Sequence, residues 1–307
     1  MSMQQKSVSS RAWAELSLLA LLWGGSFLSI RIALDEIGPL TAVLHRTGWA
    51  MILLWGVVRL RRLPVPRAVS TWGAFLVMGC LNNVIPFGLM AWGQLHISSG
   101  LTSIFNATTA IFGVLVAAIF FADERLSPRK LAGVALGFAG VVTAIGIENL
   151  SQLNLRSLAQ LAVLGGTLFY ALGGVWARKY LGGLHPVVAA AGMLTGSTLV
   201  MIPLVLHFEG VPTLALELGT WLAIGYFAVA ATAFAYLLYY RVLAMAGSGN
   251  LMLVTLMIPP VAITLGTLLR DETLAPQAYA GFGLLALGLV VLDGRLLPGR
   301  SRKRRSV

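Results

Sequence analysis

The sequence predicts an all-α integral membrane protein of about ten transmembrane helices, folded as two inverted five-helix repeats. Three observations carry that expectation. Of the 307 residues, 58% are hydrophobic and only 11% charged, against roughly 25% charged in soluble domains. With a mean hydropathy of +0.85, the chain has more apolar surface than a soluble fold of this length can hide. Apolar runs long enough to cross a hydrocarbon layer, about 20 residues each, follow one another from end to end. Finally, the segment ADERLSPRKLAG at 122–133 recurs as RDETLAPQAYAG at 270–281. Asp123, Glu124, Leu126, Pro128 and Gly133 meet Asp271, Glu272, Leu274, Pro276 and Gly281 at a shift of 148, and Gly140 and Gly288 keep it.

Residues 1–12 form a polar segment without a small-residue cleavage site behind a short apolar core, so the first hydrophobic run is expected to stay as a helix. Charged residues and Pro/Gly breaks then place spans near 13–34, 40–60, 70–93, 98–121 and 130–147. A connecting loop at 148–157 leads to further spans near 158–178, 186–206, 219–243, 248–269 and 277–294. The first repeat thus covers 13–147, the second 158–294, and a basic tail follows at 295–307. Only GQLHISSG divides the third and fourth spans and only AMAGSGN the eighth and ninth, so tight corners are expected at equivalent places. In the third span Pro86 lacks a backbone donor and predicts a kink or an unwound turn.

Lys and Arg set the orientation. Lys6, Arg11, Arg59, Arg61, Arg62, Arg67, Arg125, Arg129, Lys130, Arg178, Lys179, Arg241, Arg295 and the tail fall on one side. The other holds Arg31, Arg156 and Arg270 among Asp35, Glu36, Glu148, Glu209, Glu217, Asp271 and Glu272. Both termini are therefore assigned to the cytoplasm of a bacterial inner membrane. Five spans per half is an odd number, so the second half must enter upside down. The duplicated turn agrees: Arg125, Arg129 and Lys130 become Thr273, Gln277 and Ala278, losing every positive charge. At a shift of 147, Trp23, Arg31, Leu34 and Pro39 meet Tyr170, Arg178, Leu181 and Pro186.

LLWGGSF in the first span, Arg46 in the second and ADERLSPRKLAGVALGFAGVV closing the half resemble the EamA family of the drug/metabolite transporter superfamily, and within it aromatic amino-acid exporters of the YddG type. The resemblance extends over nearly the whole chain as two halves. It implies a ten-helix exporter of small metabolites. The second half departs from the first at Met193, which stands where Arg46 would recur.

Polar side chains inside hydrocarbon need a reason, which makes them candidates for the site. Thr102, Asn106 and Thr109 share one helix face, either lining a water-filled route or bonding to a neighbouring helix. Their counterparts are Asn250, Val254 and Met257. Asn82 and Asn83, beside Pro86, serve either an opened substrate site or a satisfied kink. Trp92, Tyr170, Tyr236 and Tyr240, with Trp23, offer faces for stacking a flat apolar substrate, or belong to interfacial belts. Arg46 binds a substrate carboxylate or phosphate, or locks the second span. Glu15 is the one acidic candidate for proton coupling, against a role in snorkelling or stabilising the first helix. The repeated Asp–Glu pairs read as caps or loop partners.

No Walker loop and no metal-binding His pattern is present, and Cys80 is the sole cysteine, so neither ATP hydrolysis nor a metal or other cofactor is expected. The net charge of +11 lies in short inter-helix clusters that suit anionic lipid rather than nucleic acid. The expectation is a non-enzymatic secondary transporter, a monomer or weak homodimer in the lipid bilayer. It exports small amphipathic metabolites, with amino acids including aromatic ones leading. A sugar-phosphate or nucleotide-sugar type antiporter is the alternative, ahead of an intramembrane enzyme or a passive channel. Scarce intramembrane charge disfavours heavily phosphorylated cargo.

Overall fold

A computed structural model describes residues 9–122, 124, 126–146, 155–251 and 254–293, without the side chains of 155, 247–251 and 293. Among the described residues there are ten long helical paths and no strand. They are α1 (Ser10–Ala33), α2 (Pro39–Leu60), α3 (Val69–Gly93), α4 (Ser99–Phe120) and α5 (Pro128–Ile145) in the first half. The second half has α6 (Leu155–Tyr180), α7 (Pro186–Phe208), α8 (Leu218–Ala246), α9 (Val254–Arg270) and α10 (Pro276–Asp293). The first eight are long and apolar enough to cross a membrane; α9 and α10 are shorter apolar helices.

Local chemistry sets the ends. Pro39, Pro128, Pro186 and Pro276 each stand at a helix start. There the missing N–H costs no hydrogen bond and the fixed φ suits the first turn. Ser9, Ser98 and Ser127 cap α1, α4 and α5 through their hydroxyls. Beyond Ala246 the helix continues to Leu251, so AMAGSGN is not wholly a corner. The stretch holds no proline, and glycine weakens a helix without forbidding it.

The repeats are related by a pseudo-two-fold axis that pairs α1 with α6, α2 with α7 and so on. Helix packing obeys the exchange: α1 packs on α9 as α6 packs on α4, and α2 packs on α8 as α7 packs on α3. Close glycine contacts give its direction. A Cβ added at Gly140 would lie 2.6 Å from the Gly281 carbonyl oxygen, and one at Gly288 would lie 2.7 Å from that of Gly133. The early residues of α5 therefore face the late residues of α10, and the reverse, so equivalent helices run antiparallel. Along α2 and α7, Gly48 approaches Thr198 while the Trp55 indole donates to Thr195 Oγ1 at 2.8 Å, again antiparallel. The repeats are inverted.

Spans α3 and α8 share one irregularity. Wide π-helical turns occupy Cys80–Val84 and Tyr226–Phe234. In α3 the Ile85 N–H reaches back to Cys80 O, five residues away. The helix neither breaks nor unwinds at Pro86: the wider turn just upstream absorbs the crowding that the proline ring brings to the preceding turn.

Candidate functional site

A cavity of about 710 Å³ lies between the repeats. Eight helices line it, while α5 and α10 pack on each other outside it. Several lining residues are two-fold equivalents: Trp23 with Tyr170, Ile30 with Ala177, Arg46 with Met193, and Asn106 with Val254. The cavity sits on the axis, yet its walls differ chemically.

Arg46 is 8% exposed and carries the deep charge. Its Nε donates to Thr232 Oγ1 at 2.9 Å, and its guanidinium lies 4.0 Å from the Phe87 ring centroid. The described lining residues include no Asp or Glu, so no carboxylate in the wall neutralises it. A buried cation without a counter-ion is costly, and a cavity that keeps one is prepared for an anion. Arg178, the other lining arginine, stands at the rim, 3.8 Å from Glu124 and over the Phe121 ring.

Aromatic rings surround that charge. Phe87 meets Tyr170 edge-on at 6.2 Å between centroids, Trp23 lies 5.8 Å from Tyr239, and Tyr239 packs edge-on against Tyr240. Asn82 Nδ2 donates to the Tyr236 hydroxyl at 3.4 Å. The Asn106 amide has no hydrogen bond to a described residue, while the Thr109 hydroxyl is turned back onto Asn106 O at 2.8 Å.

Of the expected site residues, Asn82, Asn106, Thr109, Tyr170, Tyr236, Tyr240 and Arg46 line this cavity. Asn83, Trp92, Thr102 and Glu15 do not. Asn83 is fully buried, and its amide donates to Ser197 Oγ of α7 at 2.7 Å. Adjacent amides on a helix point to different neighbours, which resolves the Asn82–Asn83 pair into one cavity residue and one packing residue. The Thr102 hydroxyl donates to Ser98 O at 2.9 Å, and Trp92 packs edge-on against His96. Glu15 bridges Arg11 and Arg241, tying α1 to α8. The Asn250 side chain, Asp123, Arg125 and the basic tail lie outside the described residues.

Sequence reasoning missed Gln94, Phe87, Tyr239 and the rim position of Arg178. Gln94 is 1% exposed and lines the cavity, and neither its Nε2 nor its Oε1 has a partner. It lies in GQLHISSG, which the sequence presents only as the corner between the third and fourth spans. The 147-residue shift from Arg31 to Arg178 was the available signal for the rim.

The cavity opens at one end only. Lining residues reach the helix ends at Phe121 and Arg178, on the face rich in Arg and Lys. At the other end Ala42 and Gln94 are buried, and contacts between the repeats cover that acidic face. Arg270 pairs with Asp35 at 2.6 Å. The Glu209 carboxylate accepts the Leu40 and Thr41 N–H groups at 2.9 and 2.8 Å, and Glu36 accepts that of Glu217 at 3.1 Å. Glu272 accepts from Ser99 N–H at 3.1 Å and from Ser99 Oγ at 2.7 Å.

The model of the EamA-like transporter family matches residues 13–146 and again 157–292. The chain belongs to the EamA-like transporter family. Membership in the drug/metabolite transporter superfamily follows, and the protein is a multi-pass membrane transporter rather than an enzyme. This EamA-like chain is 28% identical to the uncharacterized inner membrane transporter YedA of Escherichia coli K12, over 93% of this chain and 92% of that one. It is 28% identical to a probable terminal-alkyne amino-acid exporter of Streptantibioticus cattleyicolor, over 96% and 97% of the two chains. An uncharacterized transporter of Archaeoglobus fulgidus is 25% identical over 92% of this chain and 98% of its own. One solved crystal structure shares the fold with a TM-score of 0.67 at 16% identity, covering 93% of this chain and 98% of the other.

Proposed function

We propose that this EamA-like protein exports small amphipathic amino acids, aromatic ones among them, across a bacterial inner membrane by alternating access. The basic face, with both termini, is cytoplasmic, and the conformation described here is loaded from that side. One observation carries the reading: an uncompensated Arg46 deep in an aromatic cavity that lacks acidic lining residues. An amino acid supplies what is missing, a single carboxylate for the guanidinium and an apolar body for the rings. The ammonium group finds neutral oxygens, such as the Asn106 amide and the Tyr236 hydroxyl. The amino-acid exporter among the relatives supports the same substrate class. A sugar phosphate would bring two negative charges to one free guanidinium, since Arg178 already faces Glu124. The sequence carries no phosphate-binding loop for ATP, which leaves a proton gradient, exchange or the substrate's own gradient to drive the cycle.

The test is efflux from proteoliposomes loaded with amino acids or hexose phosphates. Saturable efflux of amino acids is expected, with Arg46→Met raising KM by about 30-fold or more, since truncating one partner of a buried charge pair costs about 2–5 kcal/mol. Efflux of phosphates in preference to amino acids would overturn the substrate assignment.

A further inference from the structure

Phe87, Met90, Ala91 and Gln94 follow one another at helical spacing on α3, and all four line the cavity. Arg46 stacks on the first of them. At a rise of about 1.5 Å per residue, Gln94 stands about 10 Å further along the same face, toward the closed acidic end. Between the two levels the wall is aliphatic, with Ala42, Val43 and Ile30. The Tyr170 hydroxyl turns to Met90 Sδ at 4.0 Å and so is not spent on the amide. Both Gln94 Nε2 and Oε1 are buried without a partner, at a cavity end that no other described polar side chain satisfies.

A buried amide with a free donor and a free acceptor calls for a group that is both. We propose that Gln94 is a second subsite, recognising a hydroxyl or amide at the far end of a carboxylate held by Arg46. The proposal rests on the amino-acid reading above and narrows it to amphipathic amino acids with a polar tip. The phenolic hydroxyl of tyrosine fits: the ring spans the aliphatic sleeve, and the hydroxyl both accepts from Nε2 and donates to Oε1. Phenylalanine leaves both atoms unmet, and sites built to hydrogen-bond a substrate hydroxyl discriminate strongly against the analogue without it.

L-tyrosine and L-phenylalanine, which differ by that one hydroxyl, are the probes, with efflux kinetics measured in proteoliposomes of the full chain. The wild-type protein is expected to show a tyrosine KM about tenfold below that of phenylalanine. Gln94→Met, apolar and close in size, is expected to bring that ratio to about one, through KM rather than kcat. Equal KM values in the wild-type protein overturn the proposal even if the variant fails to fold. A preference that survives in Gln94→Met overturns it too, and assigns the amide to a bound water. Transport of neither amino acid overturns the underlying substrate reading instead.

Discussion

Removing Glu209 should open the acidic face. The helix α2 begins behind Gly38, which has no side chain to cap it, and the carboxylate of Glu209, from the other repeat, takes that role. A Cβ at Gly38 would run into the Glu209 carboxylate and push it out of this position. Losing a helix cap costs about 0.5–2 kcal/mol, and a charge at a helix N-terminus adds about 0.3–1 kcal/mol. Glu209 is exposed, so a total near 1.4 kcal/mol is a fair value after screening by solvent, about tenfold in an equilibrium. This stabilisation belongs only to the conformer closed at that face, so Glu209→Ala shifts the population toward opening. The assay needs only one native thiol to be removed. In a Cys80→Ser background, Ala42→Cys puts a reporter in the cavity wall, at a position 3% exposed in the closed conformer. An impermeant maleimide applied from the acidic face should label it about tenfold faster when Glu209→Ala is added. Equal labelling rates in folded, monodisperse protein would refute the idea that this cap holds the face shut.

Gly140→Val and Gly288→Val should each destabilise by about 1–3 kcal/mol in thermal unfolding, because the backbones touch there. Gly73→Ala, where a Cβ meets nothing within 4 Å, serves as the neutral control. Asn83→Leu should cost about 1–2 kcal/mol of stability through its lost bond to Ser197, whereas Asn82→Leu should act on transport kinetics. The hydrogen bond from Arg270 holds the Asp35 carboxyl below its ordinary value of 3.8, and Arg31 adds to the effect. The resulting stabilisation is complete above 3.8 and is lost as pH falls through the lowered value. The difference in thermal stability between the wild-type protein and Asp35→Asn should therefore be constant at neutral pH and vanish only in strong acid.

Much of the frame was legible because it rests on local or repeated signals. Apolar length gave the spans, and the loss of Arg125, Arg129 and Lys130 in the second copy gave the inversion, which Gly140 and Gly288 then display in three dimensions. The site was legible only in part, since a helix face does not say which neighbour it meets. Asn82 and Asn83 are equally polar, and only the position of α7 separates them. Thr102 shares a face with Asn106, but its hydroxyl is already taken by its own helix. Glu272 suggested capping, yet the helix it caps starts 173 residues earlier in the chain, a partner that no spacing rule can name. Gln94 was missed because its meaning comes from what fails to touch it.

The symmetry also says which contacts can persist when access changes sides. If the repeats exchange conformations, a pair made of equivalent helices maps onto itself, whereas other pairs trade places. The pairs α5–α10, α2–α7 and α4–α9 are of the first kind. Their contacts near the axis can survive in both states, so they form the pivot, whereas contacts at their ends, such as Glu209 on Leu40 and Thr41, map to the opposite end and can part. The pairs α1–α9 and α6–α4 are of the second kind, as are α2–α8 and α7–α3. Contacts of that class must lengthen on one face as they shorten on the other, and they carry the change in access. Arg46 and Met193 occupy the same place on α2 and α7, so both stand on the pivot. The charge that would hold a carboxylate thus moves least while the walls around it move most. Only one of the two equivalent positions is charged, so a carboxylate bound there would have a single orientation in a frame that is nearly symmetric. On the proposed cycle, duplication would supply two alternate states, and divergence at positions such as Arg46 and Met193 the selectivity.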